Sequence, residues 1–190
     1  MGSGKKGFNP LPDWSVYALL QVWEDEVHAD AFFGTSSLMK RYRENSDARW
    51  TLYMRHITGK GKWSGGNPFV KSDCLDKDNA YISVITRATI KWRWLIRFWN
   101  YVPASQAPLG GNSGLIYTKG IGEVPFTQMA TFSLWQDPQS LMDFAYRSEA
   151  HQKAIQMTHR FNWYKEEMFC RFQPYRSLGS WDGSNPLPQL

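Results

Sequence analysis

Apolar and polar positions along the first half of the chain predict strand, helix and strand in turn. Residues 14–23 (WSVYALLQVW) are almost continuously apolar, which is typical of a buried strand, and an acidic turn follows. Residues 28–45 are typical of a helix with Lys and Arg near its end, where they suit the helix dipole. Residues 49–58 alternate between apolar and polar side chains and predict a strand with one face in water.

The second half predicts six further elements. Strands are predicted over residues 80–88, 115–123, 128–135 and 166–173, and a short helix over residues 91–101. A second helix starts at Pro138, is capped by Asp137 and runs to about residue 160. Loops rich in Gly, Pro and Ser cover residues 59–78 and 103–114. The order strand-helix-strand-strand-helix-strand is the ferredoxin-like arrangement.

The predicted fold class is therefore α+β, with an antiparallel sheet and helices on one face. A chain of 190 residues fits one domain. Within it we expect residues 12–60 to form an incomplete first ferredoxin-like half and residues 78–176 to form a complete second half.

Aromatic residues are the unusual part of the composition, with 10 Trp, 11 Phe and 9 Tyr. Ordinary core packing and an apolar ligand cavity both explain such an excess. The net charge of +5 suits an anionic partner, either lipid headgroups or nucleic acid. Cys74 and Cys170 supply neither a disulfide framework nor metal-ligand spacing. Without a leader or a spanning apolar run, we expect a cytoplasmic protein, in solution or peripheral to a membrane.

The segment from Lys91 to Tyr101 (KWRWLIRFWNY) combines aromatic and basic residues. Trp92, Ile96 and Trp99 fall on one helical stripe, from which the basic residues could snorkel if the helix lay in a lipid interface. A buried helix with a narrow basic edge explains the same pattern. Binding of single-stranded nucleic acid is a third interpretation, but no nucleic-acid module is present in the sequence to support it.

Seven strings resemble spheroidene monooxygenases, in the order that this family has them. They cover nearly the whole chain, which makes them far more specific together than any one motif. They are GFNPLPDWSVYALLQVW near the start, GKWSGGNPF at residues 61–69, ITRATIK at 85–91, IGEVP at 121–125, ATFSLW at 130–135, AHQKAI at 150–155 and WYKEEMFCRF at 163–172.

The resemblance implies a dimeric α/β-barrel built from ferredoxin-like units, and oxygenation at C-2 of an acyclic carotenoid such as spheroidene. It implies heme and molecular oxygen, with reduced ferredoxin as the electron donor. A membrane-dissolved carotenoid, ferredoxin and a second copy of the chain are the expected partners, and nucleic acid is not. Family members have another strand-helix-strand ahead of the position of Gly2, so we expect the first half to be incomplete.

His151, Arg87 and Trp63 are the predicted site residues under this resemblance. His151 lies in the AHQKAI string on a helix, shares an apolar stripe with Phe144 and Ile155, and is the expected heme-iron ligand and catalytic residue. A half-buried core histidine is the alternative interpretation.

The other two predicted site residues are heme contacts under the same resemblance. Arg87 is the expected partner of the heme propionates, with pairing to a carboxylate such as Glu123 as the alternative. Trp63 is expected to stack on a planar ligand from the GKWSGGNPF loop, which could equally be an ordered surface loop.

The remaining ionisable candidates are set aside. His159 is expected to face solvent, His56 to lie on a strand away from a helix-borne site, and His28 to serve a helix start. Glu166 and Glu167 are adjacent on a strand and point to opposite faces, so they cannot form a paired-carboxylate site.

Hydrolase and nucleotide-dependent motifs are absent from the sequence. The resemblance implies a heme-dependent carotenoid monooxygenase, which is the function hypothesis. A monooxygenase of the same fold acting on another apolar substrate and a non-catalytic heme- or lipid-binding protein are the alternatives.

Overall fold

The computed structural model describes residues 2–4, 8, 10–106, 112–147 and 149–190, and the side chains of these residues except 2–4, 104–106, 147, 149–151, 154 and 159. A 3₁₀ turn, Trp92–Trp94, precedes the third helix. The strands are β1 (Gly2–Gly4), β2 (Pro12–Tyr17), β3 (Trp50–Gly61), β4 (Ile82–Ile90), β5 (Leu115–Val124), β6 (Gln128–Trp135) and β7 (Tyr164–Gly179). The helices are α1 (Glu26–Thr35), α2 (Ser37–Glu44), α3 (Leu95–Gln106), α4 (Pro138–Arg147) and α5 (Glu149–Phe161).

The elements from β4 to β7 confirm the predicted ferredoxin-like arrangement. They follow one another as β4, α3, β5, β6, the helices α4 and α5, and β7, and the strands lie in the spatial order β7-β4-β6-β5. Neighbouring strands in this group are antiparallel. The α+β fold class is therefore confirmed by the topology.

The chain divides into two compact units. Unit 1 contains residues 1–19 and 55–174, and unit 2 contains residues 20–54 and 175–190. The sheet has the strand order β2-β1-β5-β6-β4-β7-β3, and the first part of β3 and the last part of β7 belong to unit 2.

An ionic network stabilises unit 2. Arg176 Nη1 donates to Glu26 Oε1 at 2.5 Å and to Asp30 Oδ2 at 2.9 Å. Asp30 Oδ1 also accepts from the Tyr53 hydroxyl at 2.5 Å. Burial, followed by the bond to Asp30, raises the pKa of Tyr53 to about 12, so the hydroxyl keeps its proton. The helix α1 is thereby fixed to β3 and β7 within unit 2.

One face of the sheet in unit 1 carries the helices. Alternation along β4 turns Ile82, Val84 and Ile90 to this face, where all three are buried. Ile82 and Val84 share a core cluster with Leu141 of α4, and Ile90 shares another with Phe98 of α3. The prediction of helices on one face is confirmed for these two helices.

The opposite face of β4 presents Ser83, Ile85 and Arg87. Each of these residues is paired with a residue of β7: Ser83 with Phe172, Ile85 with Cys170, and Arg87 with Met168. Directly paired residues of an antiparallel ladder point to the same side. This face therefore contains Arg87 together with Met168, Cys170 and Phe172 of β7.

The predicted buried strand over residues 14–23 is wrong in both extent and environment. The strand β2 ends at Tyr17, and Trp14 is 70% exposed. β2 is the edge strand of the sheet, and its partner β1 is the tripeptide Gly2–Gly4, which offers almost no side-chain surface. Apolar residues on β2 therefore have little to pack against.

Three predicted helices differ from the observed ones, either because they are interrupted or because they end at another residue. The helix over residues 28–45 is interrupted at Ser36, whose hydroxyl accepts from Leu38 N at 3.2 Å and caps α2. The helix after Lys91 continues past Pro103, because Val102 is anchored in the core. The helix from Pro138 is observed as α4 and α5, with position 148 between them outside the described residues.

Candidate functional site

The GKWSGGNPF loop makes a tight turn above the face that carries Arg87. Trp63 N donates to Gly66 O at 2.7 Å, and Gly66 N donates back to Trp63 O at 3.3 Å. The two residues between them have positive φ, 54° at Ser64 and 88° at Gly65. Two such residues define a type I′ turn, which Gly adopts without strain. The conformation therefore accounts for Gly65, while Ser64 adopts a positive φ that is uncommon for a residue with a side chain.

The carboxylate of Glu166 on β7 binds the exposed backbone amides of this turn. Its carboxylate accepts from Ser64 N at 2.8 Å and from Gly65 N at 2.7 Å. These two backbone bonds, followed by the contact with Arg87, hold the pKa of the Glu166 carboxyl below its usual range. Successive amides of a turn form a small anion-binding concavity, which the Glu166 carboxylate fills here.

Arg87 joins this carboxylate to a second one. The Arg87 side chain is almost fully buried, with the residue only 2% exposed. Its Nε donates to Glu123 Oε2 at 2.9 Å and its Nη1 to Glu166 Oε1 at 2.5 Å. Its guanidinium also lies over the Trp63 ring, 5.2 Å from the centroid, while the indole N–H of Trp63 donates to Glu123 Oε1 at 3.2 Å. A buried cation is thus compensated by two carboxylates, Glu166 from the adjacent strand β7 and Glu123 from β5, which lies beyond β6.

An aromatic row leads from this network to a histidine on β3. Phe69 lies 6.1 Å from Trp63 and 5.0 Å from Phe172, measured between ring centroids. His56 lies 5.5 Å from Phe69 and 5.3 Å from Phe172. These separations and the tilted or edge-on ring angles are those of favourable aromatic pairs. The loop therefore folds onto the sheet through both ionic and aromatic contacts.

His56 is buried with neither ring nitrogen hydrogen-bonded. The residue is 8% exposed, and within the described part of the chain no hydrogen-bond partner lies within reach of Nδ1 or Nε2. A buried polar group without a partner is costly, so its presence indicates a place where a polar atom could be bound. The Cβ that Gly59 lacks would lie 3.0 Å from His56 Nε2 and 2.8 Å from Cys170 Sγ.

The thiol beside His56 is not a nucleophile at neutral pH. Burial raises the pKa of Cys170 to about 11, so the thiol remains protonated. Among the described residues, no group of three His, Cys, Asp or Glu side chains is arranged to hold a metal ion.

Arg87 makes the contact that its alternative interpretation predicted. It pairs with Glu123, and it pairs with Glu166 as well. The two carboxylates would repel heme propionates, so Arg87 does not fit the role of a propionate partner. Trp63 does not fit a stacking role either, because the guanidinium of Arg87 lies over its ring and its N–H is bonded to Glu123.

His151 is on the helix α5, as predicted, but its side chain lies outside the described residues, as does that of His159. The role of His151 as an iron ligand therefore stays a prediction. His28 is at a helix start, as predicted, with Nδ1 2.8 Å from the helix-capping Asp25.

The predicted opposition of Glu166 and Glu167 agrees with the structure. Glu166 reaches Arg87, whereas Glu167 is paired with Ala88 on the helix-bearing side of the sheet and is exposed. Sequence reasoning placed Glu166 and Glu167 on opposite faces, but it missed that Glu166 binds the turn and Arg87. It also missed the burial of His56. The alternation of apolar and polar residues along β3 predicted a strand with one buried face. It did not predict that the loop at residues 61–69 covers His56 on this strand.

Within the described ranges, no helix combines the length and the apolar composition needed to span a membrane.

Comparison with known proteins gives a match to a family model and relatives that align with nearly all of this chain. A family described as "Domain of unknown function (DUF3291)" matches residues 101–172. Spheroidene monooxygenase of Cereibacter sphaeroides is 37% identical over 188 residues, which are 98% of this chain and 58% of that protein. The chain therefore spans less than two thirds of the length of this relative.

A second relative is covered more fully. Spheroidene monooxygenase of Rhodobacter capsulatus is 32% identical over 188 residues, which are 98% of this chain and 78% of that protein. Among solved structures, SnoaB from Streptomyces nogalater, a cofactor-independent oxygenase, has a TM-score of 0.43 and 9% identity, over 51% of this chain and 95% of that one. On the identity and coverage of the Rhodobacter capsulatus relative, the chain belongs to the spheroidene monooxygenase family.

Proposed function

We propose that the chain is a monooxygenase that oxidises C-2 of an acyclic carotenoid such as spheroidene to a ketone. The observation that carries this proposal is the 32% identity to the Rhodobacter capsulatus spheroidene monooxygenase over 78% of that protein. The strings GKWSGGNPF and WYKEEMFCRF, which carried the resemblance, supply Trp63, Glu166 and Cys170 to one face of the sheet. The proposal therefore links the resemblance to a defined group of side chains.

Conversion of a methylene to a ketone takes two successive oxygenations at one carbon. Each consumes one O₂, two electrons and two protons, inserts one oxygen atom and releases one water, and the resulting gem-diol loses a further water to give the ketone. Reduced ferredoxin is the proposed electron donor, and the net charge of +5 suits an acidic redox partner. Heme is the proposed cofactor and would supply the oxygen activation when bound.

The described residues contribute surroundings and position to this reaction. Phe69 and Phe172 pack on His56 and keep water from its ring nitrogens. In our proposal His56 exchanges a proton or a hydrogen bond with a polar atom of the bound reactants, since both nitrogens lack a partner. Arg87 and Glu166 fix the turn at Ser64 and Gly65, which carries Trp63 and the start of this aromatic row.

The test of function is product analysis in a host that accumulates spheroidene, with isotope-labelled O₂. Appearance of a labelled C-2 ketone supports the proposal. Oxidation of a different carotenoid or of an aromatic polyketide, with spheroidene untouched, would support the alternative of a related oxygenase. If a folded chain leaves every carotenoid unchanged in the presence of oxygen and reduced ferredoxin, the oxygenase proposal fails and a binding role takes its place.

Heme binding through His151 is tested separately by absorption spectroscopy. Heme-loaded wild-type protein is compared with His151→Ala, with His28→Ala as a matched control because His28 is exposed and bonded to Asp25. A Soret band that shifts when the reduced protein binds carbon monoxide, and that is altered only in His151→Ala, supports the assignment. Equal spectra for all three proteins would remove His151 as the ligand.

A further inference from the structure

The 3₁₀ turn Trp92–Trp94 and the first turn of α3 each expose one large apolar side chain in unit 1. Trp92 is 82% exposed and Ile96 is 81% exposed. They are four residues apart in a continuous helical segment. The same segment buries Phe98 and Val102 in the core, so its inner face is already occupied. The interpretation as a buried helix accounts for Phe98 and Val102. The predicted stripe of Trp92, Ile96 and Trp99 is exposed only in part, because Trp99 packs against the same core cluster.

The turn between β5 and β6 adds a third apolar side chain beside this segment. Phe126 is 48% exposed and has a φ of 65°, which is unusual for a bulky residue. The indole N–H of Trp99 donates to Phe126 O at 3.1 Å and fixes the turn to α3. The side chain of Phe126 is therefore presented to solvent by a specific backbone contact.

The end of α5 brings basic residues to the same place. Lys91 Nζ donates to Asn162 O at 2.6 Å, and the Arg97 guanidinium lies 3.9 Å from the centroid of Phe161. The Arg160 guanidinium lies 5.5 Å from the same ring. We call residues 91–102, 124–127 and 160–163 together the basic end.

The charge of the basic end has one sign. Its residues include four cations and no Asp or Glu; the cations are Lys91, Arg93, Arg97 and Arg160. Glu123 and Glu166, which flank two of its segments, are turned inward to Arg87 and do not neutralise it. Exposed aromatic and aliphatic side chains among cations of one sign match the chemistry of an anionic lipid surface, with an apolar layer beneath a negative one.

We propose that the basic end docks on the headgroup layer of an anionic bilayer, with Trp92, Ile96 and Phe126 entering the interface and Arg93 and Arg97 meeting lipid phosphates. The purpose of this contact rests on the proposed function, because a carotenoid is dissolved in the membrane and has to be reached there. The contact itself requires no substrate, cofactor or electron donor.

Vesicle flotation without carotenoid tests the proposal. We expect the protein to float with vesicles of phosphatidylcholine mixed with phosphatidylglycerol, and to do so much less with phosphatidylcholine alone or at high salt. The double variant Trp92→Ser/Ile96→Ser should abolish flotation. Arg93→Gln/Arg97→Gln should weaken it roughly thirty-fold, since each basic residue near such a surface contributes about fivefold in affinity.

Matched controls come from the same unit. Val70→Ser removes an apolar side chain that is 87% exposed, and Lys71→Gln/Lys77→Gln removes two exposed cations; both should float as the wild type does. Flotation that is unchanged in Trp92→Ser/Ile96→Ser overturns the proposal. So does a change of oligomeric state in that variant, which would make this end a contact between copies, or preferential binding of single-stranded DNA over anionic vesicles.

The two proposals fail in different ways. A chain that binds anionic vesicles through the basic end but oxidises no carotenoid contradicts the oxygenase function alone. A chain that oxidises carotenoid in detergent but ignores anionic vesicles contradicts the membrane contact alone.

Discussion

The Nη1 atom of Arg87 on β4 lies 2.5 Å from Oε1 of Glu166 on β7, and the same carboxylate accepts both exposed amides of the turn at Ser64 and Gly65. One carboxylate thereby connects a buried cation, two central strands and the loop that covers them. Glu123 is the second anion at Arg87. The loop position and the charge balance of this face consequently depend on the same few contacts.

Arg87→Met should reduce the free energy of unfolding by about 2 kcal/mol, because it leaves two carboxylates without their cation. The loss is below that of a fully buried pair, since the side chains of Glu123 and Glu166 are 19% and 21% exposed. Denaturant unfolding measures it. Adding Glu123→Gln should recover part of the loss, while Arg93→Met on the surface should change stability by no more than about 0.5 kcal/mol. An Arg87→Met protein as stable as the wild type would contradict the role of this network.

Glu166 should make the protein sensitive to acid. Its pKa in the folded state is lowered from the ordinary value of 4.5, mainly by the amides of Gly65 and Ser64. A lowered pKa stabilises the folded state at pH values above the pKa of the unfolded state. This contribution is lost as the pH falls through the pKa of the folded state. The stability difference between wild type and Glu166→Gln should therefore be largest near neutral pH and shrink in acid. A pH-independent difference for Glu166→Gln would count against the linkage.

Substitution by alanine should destabilise the protein at Gly65 but not at Gly66. Gly65 has a φ of 88°, where an L-residue is strained, whereas Gly66 does not have a positive φ. No atom lies within 4 Å of the Cβ that either glycine would gain, so the comparison isolates backbone strain. Gly65→Ala should cost about 1 kcal/mol and Gly66→Ala close to nothing. Equal effects in thermal unfolding would argue against a type I′ turn.

Much of the fold could be predicted because its signals are local. Short-range alternation of apolar and polar residues predicts the strands β4, β5 and β6. The helix start at Asp137 could be predicted because this residue caps its own helix: Asp137 Oδ1 accepts a hydrogen bond from Ser140 N at 2.7 Å. The ferredoxin-like order follows once these elements are recognised. Local periodicity carries this information without knowledge of which strands are neighbours.

The parts that sequence reasoning missed depend on distant partners. The apolar pattern predicted that Trp14 is buried. In the structure its strand lies at the sheet edge, beside the Gly-Ser-Gly tripeptide of β1. Glu166 is separated from Arg87 by 79 positions, and His56 is buried only because Phe69 and Phe172 lie against it. The apolar pattern of an isolated segment does not encode which surface will cover it. A single sequence therefore gave the elements of this face but not its contacts.

The two cysteines should differ sharply in reactivity. Cys74 is exposed, whereas Cys170 is buried with a pKa raised to about 11 by desolvation. Brief treatment of the native protein with iodoacetamide at neutral pH should modify Cys74 alone, and Cys170 should react only after unfolding. Mass spectrometry of the alkylated peptides gives the extent at each site. Rapid modification of native Cys74→Ser protein would show that Cys170 is more accessible than the structure indicates.

Gly59 should tolerate a larger side chain only if the thiol opposite is removed. A Cβ at this position would lie 2.8 Å from Cys170 Sγ and 3.0 Å from His56 Nε2, closer than such atoms pack. Gly59→Ala should therefore destabilise the protein by about 1–3 kcal/mol through overpacking. In the double variant Gly59→Ala/Cys170→Ala the new methyl group occupies part of the space that the sulfur leaves. The combined loss should fall short of the sum of the single losses by about 1 kcal/mol.

The control is Gly66→Ala combined with Cys170→Ala. The effects of these two substitutions should be additive, because a Cβ at Gly66 would have no neighbour within 4 Å. Additivity in both pairs would mean that Gly59, Cys170 and His56 do not meet at one point.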